Sequence, residues 1–160
     1  MEIKDYLKYY IGQKYRYRYV DWEDGHWSPW LELTASRLSR LDDASIDKIE
    51  LALRRLEDMT EDEAAPVFQL ERNRNPEKGG HDFDLWKAKY GWRITRFDLM
   101  EQHLMLSFRG ELHWVVDVPK LNIQAVNNTP LIFHYLLQQG FDLFSLIDNG
   151  LAVDAKLITN

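Results

Sequence analysis

Cysteine is absent from the chain, which excludes a disulfide framework, thiol catalysis and cysteine-ligated zinc. Also missing is any apolar run near the roughly 20 residues that span a bilayer. The opening MEIKDYLKYY has neither the apolar core nor the small-residue cleavage site of a signal peptide. A cytoplasmic protein is the resulting expectation. No Walker loop, Rossmann glycine fingerprint or Gly-x-Ser-x-Gly elbow occurs, and "NPEKGG" lacks the spacing and flanking elements of a phosphate loop. Nor does a helix carry a His-x-x-x-His or Glu-x-x-His ligand pair. The expectation is therefore a non-enzymatic protein, with no catalytic residues, no metal ligands and no cofactor.

What is present belongs to a folded protein. The 160 residues are 45% hydrophobic and 13% aromatic, enough to bury a sizeable core within one domain, residues 1–160. Net charge is −6, unevenly spread. Residues 42–70 carry nine acids against three bases, whereas 71–96 carry seven bases against four acids. The overall balance opposes long-range attraction to nucleic acid. An acidic segment reads first as a solvated face, and secondly as a surface for a basic partner.

Ile3, Tyr6, Leu7 and Tyr10 are spaced for one face of a short helix that Gly12 closes. Lys14–Val20, KYRYRYV, alternates strictly and predicts a half-buried strand. A second strand is expected around Trp30–Leu41 and a third over Ile46–Leu53, where a helix fits the spacing nearly as well. Thr60 and Glu63 form a capping box, with Glu61 and Asp62 at the positive end of the helix dipole, so a helix is expected over Glu61–Leu70. Asn73–Gly80 is a loop by composition, and Trp86–Met100, Gln102–Phe108 and Leu112–Val118 read as sheet, with Arg109-Gly110 turning a hairpin. Thr129-Pro130 is the expected N-cap and first turn of a helix that buries Leu131, Tyr135 and either Ile132 or Leu136, then stops at Gly140. Asp142 heads a second short helix that ends at Gly150. The predicted class is α+β: mainly antiparallel sheet of about five strands, a mid-chain helix and a C-terminal helical pair.

Several groups of residues invite a chemical reading. Asp142 and Asp148 are about 240° apart around a helix axis and do not converge; Asp142 reads as helix punctuation, while Asp148 lies near a helix end, where its charge is mildly unfavourable. His81, Asp82 and Asp84 include two carboxylates on one side of an extended segment, suited to magnesium and a metal-assisted hydrolase, or else to a solvated rim. His103 and His113 face each other only if the hairpin register allows it. His26 and His134 have no partner at a readable spacing. In KYRYRYVDW, Tyr15, Tyr17 and Tyr19 share one strand face while Lys14, Arg16 and Arg18 share the other, which separates a stacking platform from its cations. Trp22, Trp27 and Trp30 close the core end or, if exposed, offer partner anchors, because tryptophan is enriched in interface hot spots.

The stretch TPLIFHYLLQQGFDLFSLIDNGLAVD, from Thr129 to Asp154, resembles the C-terminal signature of small uncharacterised proteins of Bacteroidetes genomes and their prophages. IKDYLKYYIGQKYRY near the start and LRRLEDMTEDEA at Leu53–Ala64 resemble their opening and mid-chain segments. The resemblance implies a context and not a reaction: an accessory protein of a phage or mobile element, anti-CRISPR-like, that binds a host or phage protein such as a defence nuclease with a basic surface. Trp22, Trp27, Glu61, Asp62 and Glu63 are the expected partner contacts. The alternative is a nucleic-acid-associated protein using Arg72, Arg74, Lys78, Lys87 and Lys89 of the basic 71–96 segment.

Overall fold

The computed structural model describes residues 1–74, 94–100, 103–108, 111–117 and 123–158, with side chains at 1–67, 70 and 131–158. The fold is α+β, and the chain divides into two compact units, Met1–Arg54 with Leu137–Asn160, and Arg55–Leu136.

The first unit opens with two 3-10 turns, Ile3–Asp5 and Leu7–Tyr10, in place of the single expected helix. Gly12, at φ 97°, turns the chain into β1 (Lys14–Tyr19). β1 pairs antiparallel with β2 (Leu31–Glu32) on one side and with β3 (Ile46–Leu53) on the other; β7 (Ala152–Asp154) adds parallel to β3, giving the order β2-β1-β3-β7. The predicted long strand at Trp30–Leu41 is shorter. After Glu32 the chain forms α1 (Ala35–Leu38), because the Thr34 side chain caps it by accepting from the Arg37 amide. A hydroxyl at an N-cap satisfies a donor that a strand would have to pair elsewhere.

Register sets what each face of the sheet carries. Tyr15 lies opposite Leu51 and Tyr17 opposite Ile49, while Arg16 lies opposite Glu50 and Arg18 opposite Lys48. Tyr15, Ile49, Leu51 and Leu53 are buried, as are Leu7, Tyr10, Leu33, Leu41, Phe141, Leu143 and Leu146. Arg54 extends β3 by one residue and bridges in parallel to Phe141, with its guanidinium 4.5 Å from the Phe141 ring.

In the second unit α2 runs Glu61–Arg74, longer than expected, so Asn73 and Arg74 are helical; residues 75–80 of the expected loop lie outside the described ones. Its capping box forms as read: the Glu63 carboxylate accepts from the Thr60 amide at 2.8 Å, and the Thr60 hydroxyl accepts from the Glu63 amide at 3.3 Å. Pro66 sits inside this helix and removes the amide that would bond to the Asp62 carbonyl. β4 (Ile94–Met100), β5 (His103–Phe108) and β6 (Glu111–Asp117) form a separate antiparallel sheet in sequential order. Among the described residues the strands therefore number seven in two sheets, not about five in one. The Arg109-Gly110 turn and residues 86–93 lie outside the described residues.

α3 spans Ile123–Gln138, so Thr129 and Pro130 lie within its span and not at its start. Ile132 and Leu136 are buried and Tyr135 donates its hydroxyl to the Glu63 carbonyl at 2.8 Å, but Leu131 is exposed, a correction to the expected face. Gly140 follows with φ 79°, the left-handed C-terminal position read from sequence. The second member of the helical pair is absent: residues 145–150 form hydrogen-bonded turns, and the chain enters β7 from there. Asp142 explains the difference. Its carboxylate accepts from the amides of Phe144, Leu146 and Ile147 at 3.2, 2.9 and 2.8 Å. Those bonds satisfy backbone donors without a regular helix.

Candidate functional site

Strict alternation on β1 makes two aromatic–cationic clusters, one per sheet face. On the tyrosine face, Tyr15 and Tyr17 stack at 6.2 Å, and Tyr17 and Trp22 stack at 5.9 Å. Tyr19 meets Trp22 edge-on at 5.0 Å, and His26 meets Trp22 edge-on at 4.8 Å. On the other face, the Arg16 guanidinium lies 4.5 Å from the Trp27 ring and 4.7 Å from the Trp30 ring, and its Nη2 is 2.6 Å from Glu50. Cation–π contact and ion pairing together fix this arginine.

The loop between β1 and β2 thus wraps the end of the sheet. Ser28 pins it: its amide donates to the Tyr17 carbonyl at 3.0 Å, and its hydroxyl accepts from the Tyr17 amide at 2.9 Å. Trp22, Trp27 and Trp30 are all half-buried, so neither simple expectation, core plug or free anchor, describes them. Trp22 offers part of its surface beside the exposed Val20, Asp21, Glu23 and Asp24.

The acidic turn before β3 lies next to this loop. The Val20 amide donates to the Ser45 carbonyl at 2.8 Å, and Arg18 pairs with both Asp24 of the loop, at 3.4 Å, and Asp47 of the strand. Asp43 accepts from the Ser45 amide and hydroxyl at 2.9 and 2.6 Å, and these bonds hold its carboxyl below the usual carboxylate range. Ser45 stands three residues before Lys48, and its hydroxyl donates to Asp43. The result is one acidic, aromatic end of the sheet, drawn from two stretches separate in sequence.

The other candidates separate. Glu61, Asp62 and Glu63 occupy the first turn of α2 in the second unit; Glu63 serves the capping box and Asp62 is exposed. Arg72 and Arg74 are in the last turn of α2, while Lys78, Lys87 and Lys89, like His81, Asp82 and Asp84, lie outside the described residues. His103 pairs in register with Asp117, and His113 falls at the irregularity between the Leu106–Trp114 and Ser107–Leu112 pairs, so the strands do not set the two histidines opposite each other. Asp154 caps the 3-10 turn Ala155–Leu157 by accepting from the Lys156 amide, and Asp148 is exposed in the turn series. Among the described residues no three histidine or carboxylate side chains are grouped to hold a metal ion, and no helix is long and apolar enough to cross a membrane.

Sequence reading missed Arg37 and Arg40. Both line a cavity of about 210 Å³ with Tyr15, Tyr17, Tyr19, Leu31, Leu41 and Ile46. The clue was Thr34 as an N-cap, which folds the chain back over the tyrosine face where an extended strand was expected. Burial pushes the Tyr15 phenol up, against the opposing pull of Arg37 and Arg40. Comparison with protein-family models, curated proteins and solved structures finds no match.

Proposed function

We propose that this protein works without catalysis, by binding a host or phage protein in the cytoplasm, and that it inhibits or modulates a defence nuclease. The observation that carries the reading is the Val20–Ser45 hydrogen bond, which joins the tryptophan loop to the acidic turn. Together they bring two acidic stretches, Asp21, Glu23 and Asp24 with Asp42, Asp43 and Asp47, to the end of the sheet that carries the half-buried Trp22 and the exposed Val20, where Asp24 and Asp47 pair with Arg18. Acids steer a basic surface into contact, and an aromatic among them supplies the desolvated anchor. A nuclease's substrate-binding face has that complementary charge. The resemblance of the Thr129–Asp154 stretch to prophage proteins supports the same context.

Glu61, Asp62 and Glu63 remain candidate contacts in addition to this end, with Glu63 also serving the capping box. The test is to purify the tagged protein from a Bacteroidetes host at moderate salt and identify what accompanies it. A nuclease or other defence component that is retained by the native chain and lost from a Trp22→Ala, Asp24→Lys double variant supports the proposal. Retention by the double variant removes this end of the sheet from it. Recovery of nucleic acid alone, weakening steeply with salt in filter binding, moves the function to the basic 71–96 segment.

A further inference from the structure

Arg37 and Arg40 stand out in a chain of net charge −6. Each of the three ion pairs among the described residues uses Arg16 or Arg18, so neither Arg37 nor Arg40 is neutralised by a carboxylate there. Arg37 is held in place by donating from Nη1 to the Glu32 carbonyl at 2.7 Å, which leaves most of its five donors uncommitted. Arg40 is exposed. Both border the cavity walled by Tyr15, Tyr17 and Tyr19 and by Leu31, Leu41 and Ile46.

The chemistry of the wall restricts the ligand. A neutral aromatic molecule would leave two guanidiniums without counter-charge, and a bare anion would leave the tyrosine and leucine surface in water. A planar ring bearing a phosphate satisfies both, the ring against the phenols and the phosphate in the arginine fork. The cavity measures about 210 Å³, and the protein's negative charge disfavours a long polyanion. We infer that the Tyr15–Tyr17–Tyr19 face with Arg37 and Arg40 is a binding site for a single nucleoside monophosphate. The site adjoins the acidic end used above, since Tyr19 and Ile46 belong to both, but it does not depend on the partner assigned there.

The same unit occurs free or in a single strand, so the experiment offers both. Amide and side-chain NMR spectra of the full chain are followed on titration with UMP, AMP, inorganic phosphate, phenyl phosphate and a six-nucleotide single strand. Expected are saturable shifts at Tyr15–Tyr19 and Arg37–Leu41 with UMP or AMP in the low millimolar range or tighter. Arg40→Glu should weaken binding by about tenfold or more, and Tyr17→Ala by about fivefold or more. Lys48→Glu, opposite Arg18 on the far face, should leave it unchanged. Because Arg40 is exposed, its variant folds if the ring contacts are intact, and the native-like spectrum verifies this. Equal affinity for inorganic phosphate or for phenyl phosphate overturns the nucleotide assignment, as does an absence of localised shifts. Tighter binding of the strand than of UMP, with the same residues shifted, keeps the site and assigns its source to single-stranded nucleic acid.

Discussion

Tyr10 ties the first turn of the chain to its last quarter through one hydroxyl. It donates to the Phe141 carbonyl and accepts from the Leu143 amide, both at 3.2 Å, from a fully buried position. Tyr10→Phe keeps the ring and strands both backbone groups, so urea unfolding should show a loss of about 1–3 kcal/mol. The phenol also couples stability to pH. Burial raises its pKa above the ordinary 10.0, so the neutral form is favoured in the fold. Its contribution is whole below about pH 10 and is lost as pH rises through the folded-state value. Tyr15 and Tyr19 are raised by burial as well, so Tyr10→Phe should flatten the alkaline loss without abolishing it. An unchanged alkaline slope would remove Tyr10 from that account. Asp142 performs the matching service for the turns that follow, accepting three amides. Asp142→Ala should cost about 3 kcal/mol and Asp142→Asn less, since one oxygen still accepts. A difference from the native chain inside experimental error would refute the structural role.

Elements were legible in sequence where a local interaction decides them. The capping box at Thr60 and Glu63, the alternation in Lys14–Tyr19 and the left-handed glycine at position 140 are each settled by residues a few positions apart. Removing the box checks this directly: Thr60→Ala should lower stability by about 1 kcal/mol and speed amide exchange at residues 61–64, with little effect on β1 or β3. Exchange unchanged in that turn would mean the helix start is held by other contacts. Misreadings came where tertiary contacts outvote a local signal. Thr129-Pro130 carries helix-start chemistry, yet α3 already runs from Ile123. Asp142 carries the same chemistry, and its carboxylate organises turns instead of a helix. The expected burial of Leu131 failed for a related reason. Leu131 and Ile132 are adjacent apolar residues, and only packing selects Ile132 for burial.

At the scale of the molecule, the candidate site was half legible. Its parts, a tryptophan loop and an acidic stretch, are visible as composition, but their union depends on the pairing of Tyr19 with Ile46 and of Val20 with Ser45. The tyrosine cavity was illegible because its arginines come from a segment that only the Thr34 cap bends into place. The union makes a quantitative demand on the partner interaction. If exposed acids at this end steer association, reversing Asp24 and Asp43 to lysine should slow the on-rate for the purified partner about tenfold at low salt, with a much smaller effect on the off-rate. Raising ionic strength to 0.5 M should erase most of the difference, because the Debye length there is only about 4 Å. Trp22→Ala should show the opposite signature, a faster off-rate that salt does not rescue. The two variants therefore separate steering from anchoring in one kinetic experiment. Should both act on the off-rate alone at every salt concentration, the acids are contact residues without a long-range role, and the partner need not be basic.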